Sequence, residues 1–110
     1  MARSDKELAI KLWAIGDIRR IEILRLLPRS SNCEHGNNVS QLAEKLGMPQ
    51  PTVSHHLRVL RQAGLVVNKK MCRDVFYWIE MGCAEEVSID LHEILKTETS
   101  LNARETAAHG

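Results

Sequence analysis

The residues that most restrict this chain are 46–51, Leu-Gly-Met-Pro-Gln-Pro. Two prolines within three residues disfavour continuing one helix, yet both fit the first turn of another. Gly47 suits the left-handed position that closes a helix. Before it, Val39, Leu42, Ala43 and Leu46 recur at i, i+3, i+4 and i+7, which is one apolar helical face. Asn38 with Gln41 three residues on matches a capping box. After the turn, Val53, Leu57 and Leu60 form the core face of a second helix that stops at Gly64. Its opposite face carries Thr52, Ser54, His55, Arg58, Arg61 and Gln62. A short helix, a three-residue turn and a polar-faced helix make a helix-turn-helix.

The flanks complete a small fold. Residues 5–15 place Leu8, Leu12 and Ile15 on one helical face, with Ala9 and Trp13 beside them. Gly16 breaks that run, and Asp17 can cap the next helix. Residues 18–27 give Ile21, Leu24 and Leu27 on one face, with Ile23 adjacent, and Pro28 marks the end. Residues 29–38 are turn-rich and read as a loop. After Gly64 the period changes: LVVNKK and VFYWIE flank MCRD as a hairpin. Residues 85–96 return to helical spacing with Val87, Leu91, Ile94 and Leu95. The expected architecture is mainly α with a small β-hairpin, a winged helix-turn-helix over residues 1–97. Residues 98–110 are polar and predict a flexible tail.

Charge is distributed unevenly. The chain has a net charge of +1, but residues 50–73 hold five Lys/Arg, two His and no acid. Residues 80–110 hold seven acids and two Lys/Arg. A basic block is usually a solvated face. Here it coincides with the helix-turn-helix and the hairpin, and carboxylates are excluded where a surface meets a polyanion. Gln50, Thr52, Ser54 and His55 have donors and acceptors suited to base edges. Ser54 and His55 are the first candidates for base contact. Arg58 suits a phosphate, although arginine also pairs with guanine. Lys69, Lys70 and Arg73 at the hairpin would reach phosphates or a minor groove. The expected partner is double-stranded DNA.

Other classes are disfavoured. No apolar run is long enough to span a membrane, and the charged N-terminus does not look like a signal peptide, so a cytoplasmic location is expected. Cys33, Cys72 and Cys83 are too few and too widely spaced for a disulfide framework. No phosphate loop, catalytic triad or complete catalytic metal motif is present, so an enzyme is not expected.

Three segments resemble the ArsR/SmtB family of bacterial winged-helix repressors: AIGDIRRIEILRLL (14–27), VSQLAEKLGMPQPTVSHHLRVLRQAGLV (39–66) and NKKMCRDVFYWI (68–79). The resemblance implies a homodimer on an imperfect palindromic operator, repression near the promoter, and release by an inducer, commonly a metal or metalloid ion. It also implies dimerisation through the first and last helices, here by Leu8, Leu12, Trp13, Leu91, Ile94 and Leu95. So small a domain would leave those helices uncovered, which makes dimer burial a physical expectation too. Two departures matter. Cys72 stands where the family's wing usually has glycine. Asn38-Val39-Ser40 stands where arsenic-sensing members carry Cys-x-Cys.

Two ligand sets remain for an inducer. Asp90-Leu91-His92 matches half of the zinc-type pattern, but the second half falls near Ala103 and Thr106, which are not ligands, and His109 is misplaced. Winged helices pair a short strand before the third helix with the second wing strand. If Asn38 lies near Trp78, that register brings Cys33 near Cys83, with His35 or Glu34 close by. The expected site would take As(III), Cd(II) or Zn(II), or oxidise to a disulfide; two unconnected cysteines are the plain alternative. A regulator controlled by thiol redox state or abundance also remains open, as does a winged helix used for protein contact.

Overall fold

The computed structural model describes residues 4–30 and 37–96. Five helices and one hairpin follow in order: α1 (Asp5–Ile15), α2 (Ile18–Leu26), α3 (Val39–Leu46), α4 (Gln50–Gln62), β1 (Val66–Met71), β2 (Asp74–Ile79) and α5 (Met81–Leu95). The chain is a winged helix-turn-helix. Local chemistry sets most boundaries. Ser4 caps α1 by accepting from the Glu7 N–H, and Asp17 caps α2 by accepting from Arg19 and Arg20. Those two bonds, with the Arg20 one foremost, hold the Asp17 carboxyl below its ordinary value. Asn38 and Gln41 form the full capping box on α3, and Gly47 closes that helix at φ 63°. Losing such a cap typically costs about 1 kcal/mol.

One apolar cluster joins every helix to the base of the hairpin. It holds Leu8 and Ala14, Ile23 and Leu27, Leu42 and Ala43, then Val53, Leu57 and Leu60, and finally Leu65, Val66, Ile79, Cys83 and Val87. Each such aliphatic side chain contributes about 1.5–3 kcal/mol when fully buried. On α1 the face of Leu8, Leu12 and Ile15 packs inward, as its spacing predicts. Leu8 is buried inside the subunit, Leu12 is half-buried, and Trp13 and Ile10 face outward.

The last helix starts one turn earlier than its periodicity suggests. Glu80 caps it by accepting from the Gly82 and Cys83 N–H groups. Cys83 therefore lies in the first turn of α5, not at a strand end, and packs against Gly64: a methyl added there would lie 3.9 Å from the thiol sulfur.

The hairpin register pairs Val66 with Ile79 and Met71 with Asp74. Only Cys72 and Arg73 form the turn, at φ 54° and 69°. Both are left-handed, the geometry of a tight hairpin turn that favours Asn-Gly. Each costs about 1–2 kcal/mol for a side chain that cannot compensate locally. Cys72→Asn is therefore expected to stabilise the fold by up to about 1 kcal/mol, raising the melting temperature in circular dichroism by several degrees.

A third segment lies along β2. Asn38 bridges Phe76 rather than Trp78. The Tyr77 N–H donates to the Asn37 carbonyl, and the Ile79 N–H donates to the Pro28 carbonyl. The chain thus leaves β2 at Pro28 and returns at Asn37, two strand positions away.

Candidate nucleic-acid interface

The helix α4 has two chemically distinct faces. Val53, Leu57 and Leu60 are buried, while Gln50, Thr52, His55 and Arg58 are exposed and Ser54 is half-buried. Thirteen residues give a rod about 20 Å long, a length that lies readily in a major groove. His55 and His56 are neighbours whose rings are tilted by 54°, with centroids 5.7 Å apart. His55 points outward, whereas His56 is half-buried toward α2.

After Gly64 the chain enters the hairpin directly. Lys69, Lys70 and Arg73 are all exposed. Lys69 pairs with Phe76 and Lys70 with Val75, and adjacent strand residues point to opposite faces. The two lysines thus leave the hairpin on opposite sides. Asp74 is the one acid between residues 50 and 79. Its carboxylate accepts from Asn38 Nδ2 at 2.8 Å. Asn37, wholly buried, donates from Nδ2 to the Tyr77 carbonyl. Together Asn37 and Asn38 tie the wing to the start of the helix-turn-helix. Sequence reasoning missed this second role of Asn38. The adjacent pair Asn37-Asn38 before a helix was the available signal, and it read only as loop and cap.

The candidate metal ligands fall only partly within the described residues. Cys33, Glu34 and His35 lie outside the described residues, as do Ala103, Thr106, His109 and the tail. The shift of the bridge from Trp78 to Phe76, and the place of Pro28 opposite Ile79, remove the register on which a Cys33–Cys83 approach was expected. Burial pushes the Cys83 thiol up from its ordinary value, which favours the protonated form over the thiolate that binds metal. Asp90 is half-buried and His92 exposed on α5. Among the described residues no three His, Cys, Asp or Glu side chains are gathered closely enough to hold a metal ion. Also among them, no helix is long and apolar enough to cross a membrane.

A helix-turn-helix followed by a basic hairpin defines a winged-helix DNA-binding protein. The sequence profile described as "Bacterial regulatory protein, arsR family" matches residues 17–67, which hold α2 to the start of β1. An uncharacterized HTH-type transcriptional regulator of Methanocaldococcus jannaschii is 42% identical over 75 residues, covering 67% of this chain and 79% of that protein. The HTH-type transcriptional repressor SmtB of Mycobacterium tuberculosis is 40% identical over 58 residues, 53% of this chain but only 39% of the repressor. A solved ArsR-like transcriptional regulator from Rhodococcus superposes with a TM-score of 0.70 at 28% identity, over 94% of this chain and 89% of that one. The chain belongs to the arsR family of bacterial regulatory proteins. It is a DNA-binding transcriptional regulator, and these relatives are regulators rather than enzymes.

Proposed function

We propose that the chain is a homodimeric, sequence-specific repressor that reads a two-fold operator in the cytoplasm. The observation that carries this is the outward face of α4: polar, free of acid, and continued by a hairpin with three exposed cations. Phosphate contacts position a protein, and base contacts specify the sequence. Ser54 and His55 are assigned to base edges, with Gln50 and Thr52 beside them. Arg58, Lys69, Lys70 and Arg73 are assigned to phosphates. The SmtB relative carries the word repressor in its name, which supports the direction of regulation.

Dimerisation is supported by apolar exposure on α1 and α5. Ile10 and Trp13 on α1, and Ile89, Ile94 and Leu95 on α5, are all more than half exposed. Leu12 and Leu91, half-buried, sit at the edge of that surface. Leu8 contributes from beneath, as a core residue that supports α1. Two copies on one site would match the two-fold symmetry of an operator.

For release, one mechanism places a soft ion, As(III), Cd(II) or Zn(II), on Cys83 with Cys33 and His35. The alternative is a regulator without a metal inducer, controlled by thiol redox state or abundance; burial of Cys83 disfavours its thiolate toward a soft ion and an oxidant alike. The deciding experiment is fluorescence anisotropy on the chain's own upstream DNA. The double variant Ser54→Ala/His55→Ala is expected to lose roughly tenfold or more of its preference for operator over random DNA, at about 1–3 kcal/mol for each base interaction removed. An unchanged preference would remove these residues from the reading role. Adding each ion, then peroxide, to the bound wild type separates the two routes of release.

A further inference from the structure

Arg20 is 7% exposed, the one buried residue of formal charge among the described residues. Its Nε donates to the Ala14 carbonyl at 2.5 Å. Its Nη1 lies 3.3 Å from His56 Nδ1, and its guanidinium carbon lies 5.1 Å from the Trp13 ring centroid. A guanidinium is always charged and can only donate. His56 Nδ1 must therefore present its lone pair, and the neutral ring keeps its proton on Nε2. The bond spans 36 positions of sequence. It fastens the corner between α1 and α2 to the middle of α4.

We propose that Arg20 and His56 form a proton-sensitive latch on α4: neutral His56 holds the helix in its DNA-competent setting, and protonation releases the latch and weakens DNA binding. The inference rests on α4 being the helix that enters the groove. A proton from solvent takes the Nδ1 lone pair that Arg20 now uses. The Nη1–H···Nδ1 bond breaks, and two cations face each other. His56 is adjacent to His55 and two residues from Ser54 and Arg58, so a shift of this side chain reaches the reading face. Burial is the main influence that holds the imidazole below its ordinary value of 6.5. Arg20, His55 and Arg19 add to that effect, and the Asp17 carboxylate opposes it. At neutral pH the latch is closed.

His56→Asn supplies the test, because the Asn amide oxygen can accept near the Nδ1 position but does not titrate. DNA affinity is followed by anisotropy for wild type and variant from pH 7.5 to 5.5. His55 is present in both chains, so the ratio of affinities isolates His56. The two should agree within about twofold at pH 7.5, and wild type should fall severalfold further by pH 5.5, short of the roughly tenfold that one full pKa unit would give at one site. Thermal unfolding without DNA gives a second readout. A histidine whose folded value lies below its unfolded value costs stability as pH falls through about 6.5. Wild type should then lose melting temperature relative to the variant below that pH. Parallel DNA profiles would overturn the latch, even if the unfolding profiles diverge, because the contact would then be structural only. Wild type that bound no DNA at pH 7.5 would overturn the assignment of α4 as well. Should the variant not fold, NMR titration of the wild-type His56 ring decides: DNA must lower its midpoint, and an equal or raised midpoint rejects the latch.

Discussion

Replacing Lys69, Lys70 and Arg73 together by alanine is expected to weaken DNA binding roughly a hundredfold or more near physiological salt. All three side chains are exposed on the hairpin, so the substitution should leave folding intact. Every phosphate that the variant no longer neutralises lowers the slope of log K against log salt by about 0.9. The measurement is anisotropy across a salt series, and the slope is the decisive quantity. Preference among DNA sequences should change little, because backbone contacts position without specifying. Single substitutions should be unequal, since Lys69 and Lys70 leave opposite faces of β1. An unchanged slope for the triple variant would show that the wing does not meet phosphates.

The second large effect is expected at Leu57. It is 1% exposed and lies on α4 beside His56. Leu57→Ala removes buried methyl groups and leaves a cavity, a change that costs about 2–5 kcal/mol in packed cores. Domains of this kind have only about 5–15 kcal/mol of stability in total. The melting temperature should fall on the order of 10–40 °C, at about 4–8 °C per kcal/mol. Circular dichroism measures this directly. A loss below about 1 kcal/mol would mean that the site collapses around the smaller side chain.

Residues whose pattern is local were legible from sequence. The apolar spacing of α3 and α4, the capping box at Asn38 and the left-handed Gly47 all follow from neighbours within a few positions. The exposed polar face of α4 follows from the same wheel. Other features were not legible. The first turn of α5 forms because Glu80 caps it by accepting from Gly82 and Cys83, and glutamate is not a preferred cap residue. The contact between Arg20 and His56 joins residues 36 apart, and no periodicity announces it. The register of Asn38 was misjudged by two positions because Pro28 takes a place opposite β2. The tightness of the wing turn at Cys72 and Arg73 was hidden by the absence of glycine.

Pro28 and Asn37, on either side of residues 29–36, accept backbone hydrogen bonds from Ile79 and Tyr77. Both anchors are backbone hydrogen bonds, so neither requires a particular side chain within the segment. Doubling the length of such a connection costs only about 0.6 kcal/mol of closure entropy. Insertions between Pro28 and Asn37 should thus be absorbed without moving α3, α4 or the wing. The fold contains a site where new sequence can be tried during evolution while the helix-turn-helix and the wing stay fixed.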